Sequence, residues 1–496
     1  MLRQKRRIIL RLGITLFWLV MMGILAYREV VVPWLNTSHL PPRPNTPMDL
    51  WLGIYGGGNA SERIGFLNAR STPEVRSGTV GVSMGLSARM ELPVFSENTM
   101  FTLHGSAWMS NARGLSEFDF TFGSGGHEMR VQGEVKDNRL KASLETGGES
   151  LPFELPVSDE LLLSGGMGMS AFDVPLLDPG TEIYVDAFDP TTMSLGKAKI
   201  TCVGKEEISL HDGKTEAFLV TTSIGGITSR AWLAADGEVL QVETPFGFTL
   251  KKISPQEAMS PVSPGENADL VRSFAIRPKG VTPKRDAVMM RVKFSGVEEK
   301  HLPPSDAVQT RTPAGYIITV PEAPVKDPGA ALSEEDRARY LQSDVFVTSD
   351  HPKIREAAAN AVREETDPWK QAVRLHDWVF LRVKKKPVLS IPTALDVLQS
   401  LEGDCNEHAV LFVAMARAVQ IPARIAVGVV WSEEFGAFGY HAWAEVFVGD
   451  WIPMDPTFGQ LVADATHIKL LNGGIDQWPR LLPHIGAMQI EVLEVR

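Results

Sequence analysis

The chain has 496 residues, 44 % of them apolar and 22 % charged, with a net charge of −11. This is globular composition at a length that calls for more than one core, and it excludes a disordered or fibrous chain. The acidic balance argues against nucleic acid as a partner. Two cysteines, Cys202 and Cys405, exclude a disulfide-rich scaffold and a cysteine-only zinc site, and leave open a single bridge between them.

The chain opens on a basic tail, with Arg3, Lys5, Arg6 and Arg7 ahead of an apolar stretch from Ile8 to Tyr27 that only Arg11 interrupts. About twenty such residues span a bilayer core, and the basic flank stays cytoplasmic, so the bulk of the chain is expected outside, periplasmic or extracellular. Cleavage after Ala26 would place the bulky Ile24 where a small residue is wanted, so an uncleaved signal anchor is expected. Residues 1–34 form this tail and single transmembrane helix, and a Pro-rich tether follows it.

Residues 35–253 read as a β-rich, antiparallel domain. Short runs such as Met100–Met109, Phe118–Gly123 and Arg139–Thr146 alternate partially and are punctuated by Gly, Asp and Asn. Its histidines, His104, His127 and His211, are scattered singly, and Cys202 sits in a strand pattern as a small buried residue. Loosely, the region resembles the open half-barrels of periplasmic lipoprotein carriers. Residues 254–332 begin as a Ser/Pro linker and continue into further strands, which either complete the first sheet or form a small unit of their own.

Residues 333–496 change to helices followed by strands, the order of an α+β domain. Asp367 is placed to cap a helix that has Pro368 at its first position, and Arg382–Lys386 reads as that helix's solvated end. In "GDCNEHAVLFVAMARAVQIP", Asp404 and Glu407 have capping-box spacing, which makes Cys405 the first residue of an almost wholly apolar helix. A thiol there meets the positive end of the helix dipole, which favours thiolate, and unpaired N–H groups that can hold an oxyanion.

A general base and a group to orient it are then required. "GYHAWAEVFVGDWIPMDPTFGQ" supplies His441 on one strand and Asp455 on the next. Matching the aliphatic faces of the two strands sets Phe447 opposite Trp451, with a three-residue loop Val448–Asp450, and places His441 and Asp455 on one side. Trp443 shares that face and either walls a cleft or covers the sheet. Tyr440 adjoins the histidine as a further cleft candidate. His408 is a competing base on the cysteine's own helix, and His467 is a residue that could line the cleft. A metal site of Cys405, His408 and His441 lacks diagnostic spacing, and no metal or cofactor is expected.

The segments Ala394–Trp431, Gly439–Gln460 and Ala463–Leu470 together resemble the transglutaminase-like superfamily, and its exported, membrane-anchored bacterial members in particular. The motifs are Gly-Asp-Cys before a helix, a strand beginning His-Ala-Trp, and Asp-Pro-Thr after the next. The resemblance implies a papain-like fold over roughly Ser349–Leu471, a triad of Cys405, His441 and Asp455, and acyl transfer through a thioester on amide bonds of proteins or peptides, to water or to an amine. It also makes Gln399, six residues before the cysteine, a candidate oxyanion donor. The alternative is a catalytically silent scaffold or binding module of the same fold in the cell envelope.

Overall fold

The computed structural model describes residues 46–496, apart from 57–61, 164–176, 263–274, 324–330, 387–392, 474–480 and 482–486 and several stretches of one to three residues. The expected tail and membrane anchor lie outside the described residues. Among those described, no helix is long and apolar enough to cross a membrane.

Fifteen strands between Met48 and Lys252 form one sheet. Period-two patterning builds it: in Arg139–Thr146 the residues Leu140, Ala142, Leu144 and Thr146 are buried and their neighbours are not. The sheet curls into a barrel, because Glu97–Ser110 pairs with Gly114–Ser124 and Gly114 in turn bridges Leu161. Among the described strands of this sheet, Leu161–Leu163 is the one that runs parallel to its neighbours, and Phe118, Phe120 and Phe188 lie in the core inside the sheet. Cys202 is buried in this unit and Cys405 lies in the other; both thiols are free.

The stretch read as linker and extra strands joins neither the barrel nor a unit of its own. Lys279–Gly280, Met289–Ser295, Gln309–Thr312 and Gly315–Thr319 form a five-stranded sheet with the C-terminal Gln489–Val495. Met290, Val292, Tyr316 and Ile318 share one apolar core with the helices and strands of the C-terminal region. Alternation within each strand was legible, whereas a partner strand about two hundred residues away was not.

In the C-terminal region the helices Pro352–Val362, Pro368–Arg382 and Ala394–Ser400 surround the helix Cys405–Ala418, whose residues from Glu407 to Ala416 are all buried. Asp367 caps the second of these, with Pro368 in its first turn. A four-stranded antiparallel sheet completes the unit, in the order Trp451–Met454, Ala437–Phe447, Ala423–Ser432, Ile468–Asn472. Phe447 pairs with Trp451, as face matching requires, and Val448 donates to the Asp450 carbonyl to close the loop. The basic run after Pro368–Arg382 is not simply a solvated end. Lys384–Lys385 pairs in parallel with Glu402–Gly403, and Lys386 binds the Glu402 carboxylate at 2.9 Å, which ties down the segment leading into Cys405.

Candidate active site

Asp404 is the N-cap of the cysteine helix. Its side chain accepts from Asn406 N–H at 2.8 Å, and Glu407 reaches back to Asp404 N–H at 2.8 Å, completing the capping box. Gly403 is required beside it, because a Cβ there would lie 2.2 Å from Glu407 Cβ. The cap holds Cys405, half-buried, at the first helical position, where the backbone N–H of Ala442 points at its sulfur. Ala442 follows His441 in the chain, so the histidine strand meets the helix at the cysteine.

The thiol is not lowered as its helix position suggested. Burial pushes it well above the ordinary range, and the Asp404, Glu407 and Asp455 carboxylates add to the rise, against the Ala442 N–H. The same cap that places the cysteine at the positive helix end thus brings the Asp404 and Glu407 carboxylates to the thiol, where they add to the effect of burial.

His441 is buried, and its Nε2 lies 2.9 Å from Asp455 Oδ2. Asp455 is fully buried; its Oδ1 accepts from the N–H groups of Thr457 at 2.7 Å and Phe458 at 3.0 Å. Burial alone would raise its pKa, yet His441 and His467 hold it well below the usual carboxylate range. Because Asp455 is an anion that only accepts, His441 donates to it through Nε2–H, which leaves Nδ1 as the other ring nitrogen.

Two aromatic rings lie nearly parallel to that of His441. Phe458 stacks on it with centroids 4.6 Å apart and planes 15° apart, and the Trp443 centroid is 6.2 Å away. Phe458 is 44 % exposed and carries the Arg285 guanidinium 4.6 Å above its ring. Trp443 is only 2 % exposed, so it backs the histidine and does not wall an open cleft. Tyr440 is part-buried, its hydroxyl has no partner among the described residues, and burial pushes its pKa up.

His408 is neither a base nor a cleft residue. It is fully buried, with Nδ1 on the Asp404 carbonyl at 2.6 Å and Nε2 on the Val383 carbonyl at 3.2 Å, and burial lowers its pKa. Gln399 is exposed on the preceding helix, beyond the left-handed Leu401 turn.

Two neighbours, His376 and Phe458, escaped the sequence reading as parts of the site, and a third, His467, was read only as a residue that could line the cleft. His376, on the helix Pro368–Arg382, binds the Asp455 carbonyl through Nε2 at 3.1 Å. Phe458 is set over His441 by the turn that Asp455 caps. His467 does more than line a cleft: its Nε2 reaches Asp455 Oδ2 at 3.1 Å, and its Nδ1 meets the Asp464 carbonyl at 3.1 Å and Oδ1 at 3.2 Å. It arrives there because Ile468–Asn472 pairs with Ala423–Ser432 through a bulge at Val427/Gly428. Gly428, opposite His441, permits the approach, since a Cβ would lie 2.0 Å from the Ile468 carbonyl oxygen. A histidine following Asp-x-Thr close after Asp-Pro-Thr was the available signal.

Among the described residues, the group able to offer three metal-ligating atoms is His441, Asp455 and His467, with those atoms within 4.8 Å of one another. It is not the Cys405, His408 and His441 set weighed from spacing.

Comparison with known proteins gives the transglutaminase-like superfamily model as a match to residues 355–456. Among solved structures, a candidate cysteine protease from Cytophaga hutchinsonii is 15 % identical, covers 65 % of this chain and 81 % of its own, and overlays at a TM-score of 0.28. A β-barrel-like protein of a domain of unknown function from Brucella abortus is 10 % identical, covers 42 % of this chain and 96 % of its own, and also overlays at a TM-score of 0.28. A candidate protease from Parabacteroides distasonis is 11 % identical, covers 69 % of each chain and overlays at 0.20. These overlays are too loose to build on. No curated protein matches. The family match spans Cys405, His441 and Asp455, and residues 355–456 form a domain of the transglutaminase-like superfamily.

Proposed function

We propose that this protein is a thiol acyl-transfer enzyme acting on amide bonds of proteins or peptides through Cys405, His441 and Asp455. The observation that carries this reading is the convergence of three elements. A helix N-terminus presents Cys405, the adjoining strand presents Ala442 N–H to its sulfur, and His441 is oriented by Asp455 at 2.9 Å with no partner for Nδ1 among the described residues. A binding surface alone would not need an imidazole oriented by a buried carboxylate on the strand that meets the thiol's helix.

In this mechanism Cys405 Sγ attacks the amide carbonyl carbon while its proton passes to His441 Nδ1. The carbonyl π electrons move to oxygen, and the backbone N–H of Cys405 stabilises that oxyanion. Collapse re-forms the carbonyl, breaks the C–N bond and gives the His441 proton to the departing amine, leaving a thioester. Water or an amine then attacks the thioester, yields its proton to His441, and the expelled sulfur recovers that proton. Asp455 stays ionised and keeps the imidazole in the Nε2–H tautomer throughout.

One observation favours the silent-scaffold alternative: the resting thiol is pushed up by burial and by three carboxylates. The two readings part on thiol reactivity. The rate of Cys405 alkylation by iodoacetamide, followed against pH in wild type and His441→Ala, decides between them. A thiol that reacts faster than a free cysteine and slows at least tenfold in the variant supports the enzyme; an inert thiol, or one indifferent to His441, supports the scaffold. Amide substrates with and without amine acceptors then separate hydrolysis from transamidation. From the basic tail and apolar stretch we also propose a single-pass protein with its bulk outside the cytoplasmic membrane, to be tested by protease access to intact cells.

A further inference from the structure

Both ring nitrogens of His467 face oxygen acceptors. Nε2 is 3.1 Å from Asp455 Oδ2, while Nδ1 is 3.1 Å from the Asp464 carbonyl and 3.2 Å from its Oδ1. Neither carboxylate is free to supply a proton. Asp455 Oδ1 is filled by the N–H groups of Thr457 and Phe458. Asp464 Oδ1 accepts from Thr466 N–H at 2.9 Å, and its Oδ2 accepts from Asp286 N–H at 3.1 Å and Gln460 Nε2 at 2.8 Å. A neutral imidazole has one N–H, and here it would leave a nitrogen lone pair against a buried carboxylate oxygen. A doubly protonated ring satisfies both contacts.

His408 makes the contrast. Its nitrogens also face two acceptors, but these are backbone carbonyls, which carry no net charge to offset burial, and its pKa falls. Around His467 the charges compensate. Asp455 and Asp464 are in contact with it, Arg285 lies beyond Asp464 at 3.4 Å, and His441 sits across Asp455. Glu445, Lys469 and Asp306 border the same small cavity, with Lys469 paired to both carboxylates and Arg424 to Glu445. Lys469 and Arg424 offset Glu445 and Asp306, and Arg285 offsets one of the two carboxylates Asp455 and Asp464, so a cation at His467 brings the group to neutrality.

We infer that His467 is a standing imidazolium, a positioning residue that holds Asp455 by the same carboxylate oxygen as His441 and offsets part of its charge, thereby setting the basicity of His441. The inference about basicity rests on the proposed function; the inference about charge does not. Without the His467 cation, Asp455 would act on His441 undivided and repulsion between the two rings, 5.8 Å apart, would vanish. His441 would then hold its proton to higher pH and serve as base only in more alkaline solution.

The test uses the full chain labelled with 15N-histidine, the His467 signals being assigned by their loss in His467→Gln. Both nitrogens of His467 should give protonated-ring shifts at pH 7, and a neutral-tautomer pattern there would overturn the inference. Alkylation of Cys405 is then followed against pH in wild type and His467→Gln. The acid limb should move up by about one pH unit in the variant. A slower rate with an unmoved limb would show a merely structural residue and overturn the control of basicity. A thiol inert in both proteins would refute the proposed enzyme, and with it the control of basicity, while the 15N shifts would still decide the charge. Should His467→Gln fail to fold, Asp464→Asn takes its place: with one counter-charge removed, His467 should lose its proton at lower pH, and an unchanged titration would overturn the argument.

Discussion

Phe458 lies flat on the imidazole of His441, ring centroids 4.6 Å apart and planes 15° apart, and the Asp455 side chain that orients the imidazole also caps the turn carrying Phe458. One carboxylate therefore fixes the histidine by its edge and by its face. Phe458→Ala should slow Cys405 alkylation and any amide turnover by about ten- to a hundredfold, because the ring can then leave its reactive orientation. The unfolding midpoint should barely move, since Phe458 is 44 % exposed. Parallel rate and urea-unfolding measurements check both halves.

The cap of the cysteine helix also bears on the thiol. After burial, Asp404 is the largest contributor to the raised thiol pKa. Asn caps a helix about as well as Asp but carries no charge. Asp404→Asn should therefore lower the pH at which Cys405 becomes reactive, with little change in stability. Alkylation rate against pH reads the shift, and a rise would contradict this account of the electrostatics.

Gly403→Ala tests the geometry of that cap. The added Cβ would meet Glu407 at 2.2 Å and force its carboxylate away from Asp404 N–H. A loss of about 2 kcal/mol in unfolding free energy is expected, with a slower thiol.

His408→Gln separates burial from catalysis. Its nitrogens are taken by Asp404 and Val383 carbonyls, so the variant should lose about 2 kcal/mol of stability. Under conditions where it remains folded, the pH dependence of alkylation should match wild type, unlike that of His441→Ala.

Stability should also depend on pH in a window set by the cluster behind His441. Asp455 and Asp464 have folded pKa values below their unfolded ones, so their contribution is present above the ordinary carboxylate pKa and fades as pH falls below it. His467 has a raised folded pKa, because its two carboxylate partners outweigh burial; its contribution is complete below about 6.5, the ordinary histidine value, and is lost as pH rises through the folded value. Urea midpoints should be highest between these limits, and Asp464→Asn should flatten both flanks.

Much of the candidate site's scaffold was legible in the chain because local rules govern it. The Asp404–Glu407 capping box spans three residues, and the register of Phe447 against Trp451 follows from period-two patterning and a three-residue loop. Each is decided by residues within a turn or a hairpin, where chain connectivity leaves few alternatives. The same rules marked the alternating strands of Arg139–Thr146 and the cap at Asp367.

What the tertiary structure alone decided comes from segments that meet through space. The Lys384–Lys385 strand beside Glu402–Gly403, the pairing of Met289–Ser295 with Gln489–Val495, and the closure of the barrel have no local signature, since a strand's pattern records which face is buried and not which strand lies beside it. His376, Phe458 and His467 converge on Asp455 or its histidine from three such segments. The direction of the Cys405 shift belongs here as well. Sequence showed the thiol at a positive helix end, but burial and the Asp404, Glu407 and Asp455 charges assembled around it by folding govern its proton.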